Sequence, residues 1–281
     1  MSETVDIAMC MNRAQFIGAL AAINSIVRNT KHPRGISFHF VVGVGESTEF
    51  LESIRESFPD PRFRYEIKEF GGNPLLEDYI RVGQQFTYTN SESHVMNFSR
   101  YYLGEIYPGL GKVIYLDADL VVRADVADLF HLAILEGHML AAVSDGTFEG
   151  WEEYTKRGSE YLRHIESDQL TFNAGVFVTD LNKWREREVL KKLEGWIKIH
   201  RLDLEEFYFG TQSIMNLVFY RDFQPLPPAW NVHPMGWYDD IPEETIQNGK
   251  ILHWSGRKKP WLEEGLYKKY WIEYAVGQQP G

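Results

Sequence analysis

Two aspartates that follow an apolar run offer the clearest chemistry in this sequence. Residues 112–122 read KVIYLDADLVV, with Asp117 and Asp119 one residue apart. Such a run predicts a strand buried on both faces inside an α/β sheet. The two carboxylates project to the same side of extended backbone, where their charges repel each other unless a cation lies between them. A hard ion such as Mn²⁺ or Mg²⁺ takes oxygen ligands, so we expect a metal–diphosphate site at the carboxyl end of this strand. The alternative is a strand-end pair that only accepts hydrogen bonds from backbone amides.

The segments around this strand alternate between strand and helix patterns. Strands are predicted at residues 5–11, 36–44, 62–70, 139–144 and 173–179, and helices at residues 46–58, 97–106, 181–200 and 212–219. A further helix is predicted where Phe16, Leu20, Ile23 and Val27 form one stripe. Residues 71–93 show no clear periodicity, and residues 148–168 predict an excursion over one edge of the sheet. The initial β-α-β-α-β order predicts a parallel, doubly wound sheet.

The composition indicates a folded, acidic protein. The net charge of −11 over 281 residues argues against a surface that binds nucleic acid or anionic membranes. The single cysteine, Cys10, excludes internal disulfides and cysteine-based zinc sites, and it fits a reducing compartment without proving one. There is no apolar run of membrane-spanning length and no basic N-terminal region, so we expect neither a membrane span nor a signal peptide.

Five segments of the chain form an ordered set of motifs: MNRAQFIGALAAINSIVRNT (11–30), NFSRYYLGEIYP (97–108), DAD (117–119), NAGVFVTDLNKW (173–184) and LHWSGRKKPW (252–261). Together they resemble the family 8 glycosyltransferases, which include glycogenin, bacterial lipo-oligosaccharide galactosyltransferases and plant galacturonosyltransferase-like proteins. The resemblance implies a single GT-A domain, a Rossmann-like, mainly parallel sheet flanked by helices with an irregular C-terminal lobe. It implies retaining transfer of a hexose-type sugar from a UDP-sugar to a carbohydrate or glycoconjugate acceptor, with Mn²⁺ or Mg²⁺ as the metal. Residues 1–224 would form the nucleotide-sugar core, and residues 225–281 would close the donor site.

The resemblance also implies roles for individual residues. The expected metal ligands are Asp117, Asp119 and His253. The expected donor-binding residues are Met9, Cys10, Asn12, Arg100, Asp117, Ala118, Asp119, Gly256 and Lys259. Asp145, Asn173 and Gln212 would face the transferred sugar and its anomeric carbon. Two positions depart from the family pattern, because Asn12 and Thr211 stand where relatives carry aspartate.

Structural interpretations of the same residues stay open at this point. His253 fits a buried histidine of the core, and Trp230, Trp237, Trp254, Trp261, His233 and Tyr238 fit structural positions. Two other functions also stay open. A nucleotidyltransferase needs a glycine-rich basic loop after its first strand, which MCMNRAQF lacks, and Thr211 leaves room for a sugar-nucleotide-binding or interaction protein without catalysis. The compartment is open as well, since bacterial relatives work in the cytoplasm and eukaryotic ones in the Golgi lumen behind an anchor.

Overall fold

The computed structural model describes residues 4–83, 91–148, 165–166, 168–200 and 211–277, and most of the predicted excursion over residues 148–168 lies outside them. Seven of the described strands form one sheet in the order β3-β2-β1-β4-β7-β6-β8. These strands are β1 (Val5–Cys10), β2 (Ile36–Val42), β3 (Arg64–Glu69), β4 (Lys112–Leu116), β6 (Leu140–Thr147), β7 (Leu170–Asp180) and β8 (Phe223–Leu226). The remaining two, β5 (Leu120–Val122) and β9 (Ile251–His253), form a separate two-stranded sheet.

The main sheet is mostly parallel, as predicted, with one reversed strand. β1 pairs in parallel with both β2 and β4, and β3 lies at one edge of the sheet. β7 runs antiparallel to β4 on one side and to β6 on the other. The prediction of a mainly parallel sheet is confirmed, and the reversed direction of β7 is the detail that the sequence did not reveal. Its apolar run is buried on both faces whichever way it points, so the pattern carries no information about direction.

Helices cover the sheet, and some of them differ from the predicted ones. They are α1 (Phe16–Asn29), α2 (Ser47–Ser57), α3 (Pro74–Gly83), α4 (Ser91–Ser99), α5 (Leu103–Ile106), α6 (Val126–Leu132), α7 (Leu181–Glu186), α8 (Val189–His200), α9 (Thr211–Val218), α10 (Glu243–Asn248) and α11 (Lys268–Ile272). Residues 71–93, which gave no clear pattern, contain α3 and the start of α4. The single helix predicted over residues 181–200 is broken at Glu188, whose φ is +52°. Across the described part of the chain, none of these helices has the length and apolarity to cross a membrane.

The C-terminal residues return to the centre of the fold through the small sheet. β9 pairs antiparallel with β5, so that His253 lies opposite Leu120 in the ladder. A buried cluster joins this ribbon to α1, and its members are Ala21, Val121, Val232, Met235, Ile246, Leu252, Trp254, Trp271 and Tyr274. Burial of this apolar surface therefore holds β9 against β5, the strand that directly follows the two aspartates.

Candidate functional site

Asp117, Asp119 and His253 meet just beyond the carboxyl end of β4. One ligand atom from each lies within 4.8 Å of the others. Nε2 of His253 is 3.3 Å from Oδ1 of Asp119 and 3.8 Å from Oδ2 of Asp117. The backbone N–H of Asp117 donates to the carbonyl of Gly175 on β7 at 2.8 Å, and a Cβ at Gly175 would overlap the imidazole ring. Glycine at this position therefore lets the histidine reach the two carboxylates.

Arg100 and Tyr115 hold the outer oxygen of Asp117. The guanidinium lies 3.0 Å from Oδ1 of Asp117, and the Tyr115 hydroxyl donates to the same oxygen at 2.8 Å. Arg100 also donates to the carbonyl of Ala174 at 2.8 Å and lies over the Tyr115 ring. Burial by itself would lower the pKa of Arg100, but the charge of Asp117 raises it above its ordinary value. Arg100 thus stays cationic inside the protein and leaves Oδ2 of Asp117 turned toward His253.

Lys259 holds one oxygen of Asp119, as Arg100 holds one oxygen of Asp117. Its ammonium pairs with Oδ2 of Asp119 and donates to the carbonyl of Trp254 at 2.9 Å. Desolvation by itself would raise the pKa of Asp119, but the charge of Lys259 outweighs it and holds that pKa well below its usual range. Each carboxylate therefore has one oxygen held by a cation, while the other faces His253.

The residues present fit a divalent cation. Nε2 of His253 is buried, yet it makes no hydrogen bond with any residue that the structure describes. Its other ring nitrogen, Nδ1, contacts Oδ1 of Asn231 at 3.0 Å. A buried polar atom without a partner is costly, and its position between two carboxylate oxygens gives it a natural use as a ligand. Two carboxylate oxygens and one imidazole nitrogen suit Mn²⁺, which accepts both ligand types.

The three residues expected to face a sugar form one connected group. Gln212 donates through Nε2 to Oδ2 of Asp145 at 2.9 Å, and its Oε1 accepts from Asn173 at 3.0 Å. Desolvation raises the pKa of Asp145 to about 6, although the hydrogen bond from Gln212 opposes the rise. The structure thus brings Asp145, Asn173 and Gln212 together next to the metal-ligand cluster. Thr211 begins α9, and its carbonyl accepts from the Tyr101 hydroxyl.

Two residues that the sequence analysis missed or set aside also belong to this cluster. Asn231 is 2% exposed and contacts both His253 and Asn173. His233 was interpreted as structural, but its Nε2 lies 3.5 Å from Oδ1 of Asp145, and desolvation lowers its pKa to about 3. The only sequence signal is their spacing, since Asn231 and His233 flank Val232 as the two aspartates flank Ala118. Such a short polar alternation is too common to single out a site.

Asn12, one of the expected donor-binding residues, borders a cavity of about 580 Å³. Its lining is Asn12, Arg13, Ala14, Gly43, Val44, Glu46, Phe70, Gly71, Val95 and Met96. Oδ1 of Asn12 is buried and accepts no hydrogen bond from the described residues. The side chains of Met9 and Cys10 are buried in the core, where burial raises the pKa of the Cys10 thiol to about 12. Any contact of these two residues with a ligand would therefore use their backbone.

At Ala118 and Gly256 the backbone lies close to neighbouring backbone segments. Ala118 is buried, and a Cβ at Gly18 of α1 would lie 2.5 Å from its carbonyl oxygen. Gly256 has a φ of +122°, and a Cβ there would lie 2.7 Å from the carbonyl oxygen of Gly236. Gly256 is thus needed for its backbone conformation as well as for space.

The tryptophans divide between core and surface. Trp230 and Trp254 are buried, in line with their structural interpretation, and Trp261 packs partly buried against the C-terminal cluster. Trp237 is 49% exposed and Tyr238 is 57% exposed, so these two rings do not belong to the core.

A mostly parallel sheet with this topology is the GT-A fold, and solved glycosyltransferase structures match it. The galactosyltransferase LgtC, solved with donor and acceptor sugar analogs, has a TM-score of 0.72 at 20% identity, over 96% of this chain and 95% of that one. The glycosyltransferase GlyE of Streptococcus pneumoniae has a TM-score of 0.68 at 23% identity, over 99% of this chain. The present chain spans 62% of the length of GlyE.

The chain belongs to Glycosyl transferase family 8, whose profile matches residues 6–265. Its relatives include glycosyltransferase 8 domain-containing protein 2 of Mus musculus, 28% identical over all of this chain and 84% of the relative. The probable galacturonosyltransferase-like 3 of Arabidopsis thaliana is 32% identical over 92% of this chain and 74% of the relative. The expected resemblance and GT-A fold are confirmed, and membership of the family supports a glycosyltransferase with a sugar donor and an acceptor.

Proposed function

We propose that this protein is a retaining, metal-dependent glycosyltransferase that moves a hexose-type sugar from a UDP-sugar to an acceptor hydroxyl. The observation that carries the proposal is the buried, unpaired Nε2 of His253, which faces one oxygen each of Asp117 and Asp119. Mn²⁺ or Mg²⁺ held by these three residues would supply a Lewis acid that offsets negative charge on the leaving diphosphate.

Lys259 and Gly256 are the proposed contacts to the diphosphate. Lys259 is already held beside Asp119, so its ammonium would add positive charge where the leaving group develops negative charge. Gly256 lies three residues earlier and has no side chain to block the approach of a phosphate. Arg100 would act indirectly, because it is bonded to Asp117 and holds the orientation of that carboxylate.

The cavity beside Asn12 is the proposed nucleoside site. Its volume of about 580 Å³ suits a small ligand. Asn12 offers an unpaired amide oxygen that could accept from the imide N–H of uracil. The backbone of Met9, Cys10 and Ala118 would complete this wall. We also propose that residues 225–281 close the donor site, because they contribute Asn231, His253 and Lys259.

Asp145, Asn173 and Gln212 are the proposed contacts to the transferred sugar. Both acceptor positions of Gln212 Oε1 are occupied, by Nδ2 of Asn173 at 3.0 Å and by the backbone N–H of Ala174 at 3.2 Å. Gln212 therefore has no free lone pair with which to attack an anomeric carbon. This favours front-face attack, in which the acceptor oxygen bonds to the anomeric carbon as the bond to UDP breaks. The acceptor's proton then passes to a phosphate oxygen of UDP.

The test combines binding with turnover. UDP with Mn²⁺ should raise the melting temperature, since a ligand that binds only the folded state stabilises it. A screen of common UDP-sugars with Mn²⁺ and without acceptor should then show slow hydrolysis of one donor. Asp119→Asn should abolish both effects, whereas Asp128→Asn, at an exposed aspartate of α6, should leave both intact.

Each result separates one function from the others. Binding of UDP and Mn²⁺ without turnover of any donor would favour a sugar-nucleotide-binding or interaction protein. Release of diphosphate from UTP and a sugar 1-phosphate would favour a nucleotidyltransferase. No thermal shift at millimolar UDP and Mn²⁺ would refute the donor-site proposal. The anomeric configuration of the first product, read by NMR, tests retention.

A further inference from the structure

A continuous relay of hydrogen-bonded side chains runs from His253 to Asp145. In order, Nδ1 of His253 contacts Oδ1 of Asn231 (3.0 Å), Nδ2 of Asn231 donates to Oδ1 of Asn173 (2.9 Å), Nδ2 of Asn173 donates to Oε1 of Gln212 (3.0 Å), and Nε2 of Gln212 donates to Oδ2 of Asp145 (2.9 Å). Each amide in this relay accepts at one end and donates at the other, so the relay has a direction.

Two backbone N–H groups set that direction. Gly175 donates its N–H to Oδ1 of Asn173 at 3.0 Å, and Ala174 donates to Oε1 of Gln212 at 3.2 Å. Turning either amide over would bring an NH₂ group against a backbone N–H. Turning Gln212 would also place its oxygen against the carboxylate of Asp145. Neighbours that can only donate or only accept therefore decide both amide orientations.

The direction of the relay decides which nitrogen of His253 carries the proton. Because Oδ1 of Asn173 is held as an acceptor, Asn231 must present its NH₂ group there. Its carbonyl oxygen then faces Nδ1 of His253, which must carry a proton to make a hydrogen bond. With the proton on Nε2 alone, two acceptors would meet at this buried contact. Nε2 is thereby left to face the two carboxylates as a lone-pair donor.

We propose that Asn231 is a positioning residue, which holds His253 as the Nδ1–H form and so prepares Nε2 to bind the metal. The backbone N–H groups of Ala174 and Gly175 transmit this preference through Asn173. A partner on the non-ligating nitrogen is a general way to orient a metal-binding histidine. The inference rests on the proposed function only in that Nε2 is taken as a metal ligand. The protonation of Nδ1 concerns the metal-free protein.

The first measurement needs no metal and no substrate. Nitrogen NMR of histidine-labelled, EDTA-treated protein at pH 8.5 reports which ring nitrogen carries a proton, with the His253 signals assigned by their loss in His253→Gln. We expect a proton on Nδ1 of His253. A bare Nδ1 in the unmodified protein would overturn the inference, whatever the variants do and whether or not the protein transfers sugars.

The second measurement is the affinity for Mn²⁺ alone, by calorimetry. Asn231→Leu removes the acceptor and should weaken Mn²⁺ binding by about 10- to 100-fold. Asn231→Asp keeps an acceptor at Nδ1 but sets a second acceptor against Oδ1 of Asn173, so its Mn²⁺ affinity should fall between those of the unmodified protein and Asn231→Leu. The matched control is Asn216→Leu at an equally buried asparagine, 2% exposed, whose amide bonds backbone groups of Phe172 and Gln212.

These outcomes separate the inference from the proposed function. Equal losses in Asn231→Leu and Asn216→Leu, with Nδ1 of His253 still protonated in both, would show a general structural effect and overturn the role of Asn231. If no protein binds Mn²⁺ while Nδ1 carries the proton, the metal-dependent function fails and the inferred arrangement stands. If Asn231→Leu does not fold, the NMR result for the unmodified protein and Asn231→Asp still decides.

Discussion

Replacing Lys259 with methionine removes the cation nearest to Asp119 while keeping most of the side-chain volume. The Asp119 side chain is 6% exposed and that of Lys259 is 23% exposed, so the pair is largely withdrawn from water. Breaking a buried pair by removing one partner costs roughly 3–5 kcal/mol. Because Lys259 is partly exposed, we expect the lower end, a loss of about 3 kcal/mol in the free energy of unfolding.

The assay is urea unfolding at pH 8 in EDTA. The matched control is Lys258→Met, the same substitution at the adjacent, exposed lysine, which should change stability by less than about 0.5 kcal/mol. Adding Mn²⁺ should narrow the deficit of Lys259→Met, because a bound cation compensates Asp119 in place of the ammonium. Equal stabilities of the two variants in EDTA would refute the reasoning that Lys259 neutralises a buried carboxylate.

The same variant has a predicted pH signature. The folded-state pKa of Asp119 is lowered, so its contribution to stability is present above the unfolded value of about 3.9 and is lost as the pH falls toward the folded value. Lys259→Met removes the main cause of that lowering. The gap between the unmodified protein and the variant should therefore shrink below about pH 4. A gap that stays constant from pH 8 to pH 3 would contradict this assignment.

Three further changes test other parts of the site. Gly175→Ala would place a Cβ 2.6 Å from Oδ2 of Asp117, so we expect loss of Mn²⁺ binding and about 1–3 kcal/mol of stability. In contrast, Gly195→Ala in α8, where a Cβ meets nothing within 4 Å, should gain about 0.5–1 kcal/mol in urea unfolding. Arg100→Met should lose about 3 kcal/mol, since it leaves Asp117 without its guanidinium partner. Arg100→Lys should recover only part of this stability, because an ammonium cannot reproduce the guanidinium fork, and full recovery would show that charge alone matters. Asp145→Asn tests the carboxyl whose pKa is raised to about 6. The contribution of Asp145 to stability is complete below about pH 3.9 and is lost as the pH rises through 6. The free energy of unfolding of Asp145→Asn should therefore equal that of the unmodified protein at pH 3 and exceed it increasingly between pH 4 and 6. A gap in unfolding free energy that is constant with pH would contradict the raised pKa.

Much of the fold was readable because strong local patterns coincide with burial. β4 and the aspartates after it follow from an apolar run that ends in two carboxylates. Asp180 belongs to a residue type that favours helix N-caps, and its side chain accepts from the backbone N–H of Asn182 at the start of α7. α3 was not predicted because the surrounding residues are polar and rich in turn formers. The direction of β7 could not be predicted, because a strand buried on both faces has the same apolar pattern whether it runs parallel or antiparallel to its neighbours.

The partners of Arg100 and His233 could not be deduced from the sequence. The guanidinium of Arg100 meets Asp117 rather than Glu105, the nearest carboxylate in the sequence. The reason is that α4 and the turn after it lie against the carboxyl ends of β1 and β4, which is a property of packing. His233 faces Asp145 because β8, which precedes His233, pairs with β6, which carries Asp145, although the two residues are far apart in the chain.

The sequence by itself determined the strand that carries Asp117 and Asp119, the need to compensate two nearby carboxylates, and the family, because each depends on local residue type and spacing. Only the tertiary structure decided what compensates them. The pairing of β9 with β5 brings His253 to the two carboxylates. Lys259 then contacts Oδ2 of Asp119, and Arg100, from another part of the chain, contacts Oδ1 of Asp117. The tertiary structure also places Asn231 between His253 and Asn173. Contacts between residues this far apart in the chain depend on strand order and on burial of the C-terminal apolar cluster, and no local pattern encodes either.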